Sequence, residues 1–165
     1  METARGDGTA LGPPFRTELA EVCHRLNEAG ARYLLVGARA LQLWGSSRAT
    51  RDIDILIEPT EENAARVLDA LGRIGFGFAG EWTAREIAAK FVTIIGDSPR
   101  VDVLTIAWSV RYRDAIRDAH RFVLEGVEIP TASIDTLIAS KRTGRPQDEA
   151  DIVVLEEIQR MRSEP

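Results

Sequence analysis

Apolar positions recur at helical spacing near the start of the chain. Phe15, Leu19, Val22, Cys23 and Leu26 fall on one stripe, which predicts a helix up to Ala29 with Gly30 as its stop. The next run, Tyr33 to Val36, is short and uniformly apolar, as a buried strand would be. Gly37 breaks it, and a helix is expected from about Ala38 to Trp44. Asp52 to Ile57 then alternates as a strand does and is closed by Pro59, after which Thr60, Glu61 and Glu62 open a helix carrying Val67, Leu68 and Leu71.

Gly72, Gly75, Gly77 and Gly80 mark an irregular connection. Thr83 with Glu86 fits a capping box, and the β-rich runs 91–95 and 100–106 flank a turn at 96–99, so an antiparallel hairpin is expected there. Further on, Ser109 to Ala119 reads as helix and 121–129 as a short hairpin around Gly126. Ser133 opens a helix that Gly144 and Pro146 interrupt, and a last helix runs from about Gln147 to Arg162. There is no internal repeat or heptad array.

With 165 residues, 44% hydrophobic and 28% charged, the chain suits one domain with a real core, and it has no apolar run that would span a bilayer. No membrane partner is expected. Residues 1–13 lack the apolar centre of a signal peptide and read as a disordered leader before a single domain over 14–165. A formal charge of −5 argues against a protein whose task is to coat nucleic acid, and Arg111, Arg113, Arg117 and Arg121 read as a solvated face. Cys23 is the only cysteine and sits on an apolar stripe, so it is assigned to the core. With no export signal, a reducing, cytoplasmic location is expected.

Charge appears where the pattern calls for apolar residues. Strand alternation puts Asp52, Asp54 and Leu56 on one face and Ile53, Ile55 and Ile57 on the other. Two adjacent carboxylates repel unless a cation lies between them, and such an oxygen pair suits Mg²⁺, although for an isolated Asp-x-Asp a polar edge strand is the better account. Asp102 interrupts a second apolar run in the same manner. Three carboxylates on neighbouring strands would bracket two Mg²⁺ ions, the arrangement for in-line displacement at phosphorus. Gly37 lets a backbone approach a ligand closely, and the helix after it offers free N–H groups to phosphate, so a nucleoside triphosphate is the expected ligand.

Toward the C-terminus, Ile134, Leu137, Ile138 and Lys141 share one stripe, as do Asp148, Asp151, Ile152 and Leu155, so a lysine and two acids face inward. Either they belong to a site, or Lys141 snorkels and Asp148 caps the last helix. Trp44 reads as core. His24 and His120 lack zinc spacing, and no serine nucleophile elbow is present.

The string Gly37-Ala38, a helix, Arg48-Ala-Thr-Arg-Asp-Ile-Asp54 and a later Val-Asp102-Val resembles the nucleotidyltransferase superfamily related to DNA polymerase beta. Residues 137–155, LIASKRTGRPQDEADIVVL, resemble the C-terminal segment of small bacterial enzymes grouped with abortive-infection and toxin–antitoxin nucleotidyltransferases. The likeness covers roughly Tyr33 to Leu155. It implies an α/β (α+β) nucleotidyltransferase fold, a mixed central sheet flanked by helices with the C-terminal helices packed on it.

The resemblance further implies a role for each matching residue. Gly37 and Ala38 would hold the triphosphate, Asp52, Asp54 and Asp102 would ligate Mg²⁺, and Asp102 would take the acceptor's proton. Lys141 would contact phosphate, with Asp148 or Asp151 completing the site, and Arg48 would reach phosphate or acceptor or else bond its own loop. The implied reaction moves a nucleoside monophosphate from a triphosphate such as ATP to a hydroxyl on tRNA or protein, in a toxin that has an antitoxin partner. The alternatives are a lincosamide or aminoglycoside nucleotidyltransferase, and a non-catalytic nucleotide-binding module. The last is motivated by Ala38, which stands where the family usually has Gly or Ser.

Overall fold

The computed structural model describes residues 16–74 and 80–165; the expected leader, Gly75 and Gly77 lie outside them. Helix α1 (Glu18–Glu28) starts where the Thr17 hydroxyl accepts the Ala20 N–H, and the chain turns out of it through Gly30 at φ +71°. Strand β1 (Tyr33–Val36) is buried along its length and leads directly into α2 (Gly37–Trp44). Strand β2 (Ile53–Ile57) follows, then α3 (Glu61–Gly72) capped by Thr60, and α4 (Ala84–Ala89) with the expected Thr83–Glu86 capping box. Strands β3 (Val92–Ile95) and β4 (Val101–Leu104) form the expected antiparallel hairpin.

The chain continues as α5 (Tyr112–Ala115), a 3₁₀ turn at Ile116–Asp118, β5 (His120–Leu124), β6 (Val127–Thr131), α6 (Ile134–Ser140) and α7 (Pro146–Ser163). Two expected boundaries shift. Ala107 and Val110 exchange backbone hydrogen bonds of 2.9 and 3.0 Å, which draws Ser109 into a tight turn and delays the helix to Tyr112. Helix α6 stops at Ser140, so Lys141 caps it from just beyond its last turn.

The six strands lie in the order β3-β4-β2-β1-β6-β5, with β2–β4 and β1–β6 parallel and the other pairs antiparallel. This is a mixed sheet flanked by helices, in the α+β class. Tyr33 shares its face with Ile53, Ile55, Val101 and Val103, all buried, and its hydroxyl bonds Asn27 of α1 at 2.9 Å, so α1 covers that side. The opposite face carries Val36, Asp54, Leu56, Asp102, Leu104, Val92 and Ile94 in register. Cys23 is on the buried face of α1 and its thiol is pushed up to about 12, as a core cysteine requires. Among the described residues no helix is long and apolar enough to cross a membrane.

Candidate functional site

Register brings the carboxylates together. β2 runs parallel to β4 with Asp54 directly opposite Asp102, and β1 runs antiparallel to β2 with Val36 opposite Asp54. Asp54 therefore lies beside the corner at which β1 turns into α2. Gly37 makes that corner at φ +69°, and a Cβ there would stand 2.9 Å from the Asp54 carboxyl carbon, so any other residue would strain the backbone and displace that carboxylate. The absent side chain at position 37 is the cradle of the Asp54 carboxylate.

Burial, and after it the charges of Asp102 and Asp52, push the Asp54 carboxyl up to about 6, against the weaker pull of Lys141 and Arg100. Asp52 sits one residue ahead of β2, close enough to act on Asp54 through its charge. A cation already stands among these acids. Arg100, two residues before Asp102 on the same strand face, bonds both carboxylate oxygens of Asp102 at 2.7 and 3.1 Å and lies 4.0 Å from Asp52. Sequence reasoning passed over Arg100, although its i, i+2 spacing from Asp102 places it on the acidic face.

Arg100 bears on the expectation that three carboxylates bracket two ions. Among the described residues no three such groups stand close enough to share an ion, and Asp102 is bonded to the guanidinium. Mg²⁺ does not need a trio: one or two carboxylates suffice when phosphate oxygens and waters fill the remaining positions. The all-oxygen donor set, the cradle at Gly37 and a positive group already drawn to the acids fit a hard divalent cation held by Asp54 with Asp52 or Asp102.

Lys141 faces this group from α6. Its ammonium lies 2.9 Å from Asp151 and 3.5 Å from Asp148, both on the first turns of α7, and its side chain is only 13% exposed. Asp151 also accepts from Arg48 at 2.8 Å and from Gln147 at 3.0 Å, so both of its oxygens are engaged. It acts on the site by positioning Lys141 and Arg48, not by direct contact with the cleft. For Asp148, burial raises the carboxyl, but the Thr143 hydroxyl, Lys141 and Arg145 outweigh it and hold it below the ordinary carboxylate range. The tail motif of lysine and two acids is thus a buried ion-pair network that fixes α6 to α7.

A cleft of about 190 Å³ opens between these groups, lined by Gly37, Asp54, Trp108, Lys141, Arg145 and Asp148 among others. Of the residues singled out in the sequence, Gly37, Asp54, Lys141 and Asp148 meet there. Asp52 and Asp102 join through the sheet, whereas Arg48 and Asp151 line the neighbouring hollow on the far side of the Lys141 ion pair. Ala38 is buried in the first turn of α2 and supplies only backbone. A larger hollow of about 560 Å³ lies at the Tyr33 end of β1, opposite Gly37. Its arginines, Arg32 and Arg121, are neutralised by Glu58 and Glu128, and it gathers no acidic cluster. The smaller cleft is the one bordered by the acidic cluster.

No protein-family model matches the sequence, and no curated protein is significantly similar to it. The geometry alone bears on function.

Trp44 behaves as core: its indole N–H donates to the Ala132 carbonyl at 2.9 Å and its ring packs on His120 and Phe122. Trp108, which sequence reasoning did not single out, is the tryptophan at the cleft. Nothing in the pattern around Ser109 distinguished a turn residue from a helical one.

Proposed function

We propose that the chain is a Mg²⁺-dependent nucleotidyltransferase of the DNA polymerase beta-related type, acting on a nucleoside triphosphate such as ATP and a hydroxyl acceptor. The observation that carries this reading is the in-register Asp54–Asp102 pair on adjacent parallel strands, with Asp54 seated against the glycine corner that begins α2. The sheet order and the helices packed after it are compatible with the nucleotidyltransferase fold that the motifs imply.

In this reading the α2 backbone N–H groups at Gly37 and Ala38 and the Lys141 ammonium hold the phosphates. Asp54 with Asp52 or Asp102 would hold Mg²⁺, which on binding neutralises phosphate charge and lowers the barrier to displacement. The acceptor oxygen forms a bond to the α-phosphorus, the α–β bridging bond breaks, and pyrophosphate leaves with that electron pair. The acceptor's proton passes to a carboxylate of the cluster, a role this reading gives to Asp102 once Arg100 has released it. Arg100 is 41% exposed on its side chain and so has room to swing away.

The acceptor is proposed to be a tRNA end or a protein side chain, in a toxin kept in check by an antitoxin partner; this rests on the likeness of residues 137–155. Incubating the protein with each labelled NTP and Mg²⁺, with bulk tRNA and then a lincosamide and aminoglycoside panel, tests it. Label on tRNA or protein that disappears with Asp54→Asn is expected, and label on the drugs alone would replace this acceptor class with antibiotic modification. One observation favours a non-catalytic nucleotide-binding module instead: both oxygens of Asp102 are taken by Arg100. Binding of an NTP without turnover in any of these assays would select it.

A further inference from the structure

The loop after β4 contains a backbone anomaly at the mouth of the cleft. Ala107 and Val110 close a two-residue turn, and the first residue inside it, Trp108, has φ +59°. A turn with only its first central residue at positive φ normally has glycine there, and a bulky aromatic in that conformation is strained. Burial does not compensate for it, since Trp108 is 58% exposed. Trp108 instead lines the cleft with Gly37, Asp54, Lys141 and Arg145. Backbone strain combined with an exposed aromatic ring at a polar cleft points to a contact made with a ligand.

The size of the cleft says which part of the ligand. About 190 Å³ is well below the roughly 300 Å³ or more that encloses a drug-sized molecule, so it has room for phosphates but not for a whole nucleotide. With the phosphates between Gly37 and Lys141, the rest of the nucleotide must extend past the rim, and an aromatic ring stands at that rim. Resting on the nucleotidyltransferase reading above, we infer that Trp108 is the stacking platform for the nucleobase of the incoming triphosphate. Stacking on a single ring tolerates every base, so all four NTPs are accepted.

The test compares wild type, Trp108→Ala, Trp108→Phe and Trp108→Gly in Mg²⁺ buffer. Affinities for non-hydrolysable NTPs and for inorganic tripolyphosphate are read by calorimetry, and thermal midpoints are read alongside. Stacking is expected to make wild type bind the NTP more tightly than tripolyphosphate, and Trp108→Ala should weaken NTP binding by roughly 5- to 100-fold while leaving tripolyphosphate unchanged. Trp108→Phe should restore most of the loss. Trp108→Gly should weaken the NTP equally while holding or raising the thermal midpoint, a combination that a purely structural tryptophan would not produce.

If the variants bind the NTP as wild type does, or if only the KM for the acceptor changes, the stacking assignment is wrong and the nucleotidyltransferase reading stands. A loss of tripolyphosphate binding equal to that of the NTP also overturns it, since the effect would then not come from the base. If wild type binds neither NTP nor tripolyphosphate, both ideas fall together.

Discussion

Asp54 is held at a cost to the fold, and that cost can be measured. Its carboxyl rises from the ordinary 3.8 to about 6 because the folded chain buries it beside Asp102 and Asp52. At about 1.4 kcal/mol per pH unit this rise corresponds to roughly 3 kcal/mol. The sign follows from linkage: below about pH 4 the group is protonated in folded and unfolded chains alike and carries no penalty. As pH rises from there through about 6, the unfolded chain releases the proton first and the folded state loses stability; above that the full penalty is present. Asp54→Asn removes the charge at nearly constant volume. In urea denaturation with EDTA, the variant should be more stable than wild type by roughly 1–3 kcal/mol near pH 7.5, and the gain should vanish near pH 4. Adding Mg²⁺ at about a hundred times its Kd should then stabilise wild type by up to about 2.7 kcal/mol and leave the variant unmoved. A variant that is less stable at both pH values, or equally stabilised at both, would refute the idea that Asp54 is a strained, ion-seeking carboxylate.

Other substitutions probe the remaining parts. Gly37→Ala places a methyl against the Asp54 carboxylate and forces alanine to φ +69°; a loss of about 2 kcal/mol or more in denaturation, together with lost NTP binding, is expected. Lys141→Met leaves Asp151 paired only through Arg48 and Gln147; it should destabilise by roughly 2–4 kcal/mol, and adding Asp151→Asn should recover part of that in a double-mutant cycle. Arg100→Gln frees Asp102 and removes an attraction that lowers the Asp54 carboxyl. It should tighten Mg²⁺ binding in calorimetry, and an unchanged or weaker affinity would refute a place for Asp102 at the ion. Thr83→Ala breaks a capping box remote from the cleft; it should cost about 1 kcal/mol in thermal denaturation and leave nucleotide transfer unchanged.

Where the fold was readable in the chain, a local signal agreed with the tertiary outcome. The Gly37 corner, the Thr83–Glu86 box and the alternation through Asp54 and Asp102 each have a local physical cause, and each appears where it was expected. Ser109 misled because its flanks, Ala107 and Val110, pair with each other and override the helical pattern around them. Site residues divide in the same way. Residues whose type contradicts their surroundings, such as an aspartate in an apolar strand or a lysine on an apolar stripe, can be recognised from one sequence. Arg100 and Trp108 could not, because an arginine before a strand and a tryptophan near a serine contradict nothing locally. Arg100 matters through the register that sets β4 beside β2, and Trp108 through a backbone angle that no composition encodes. Both bear on the proposed reaction, since one is bonded to Asp102 and the other lines the cleft beside Asp54. A site's charges can therefore be inferred from pattern, whereas what controls access to them has to be read from pairing and dihedral angles.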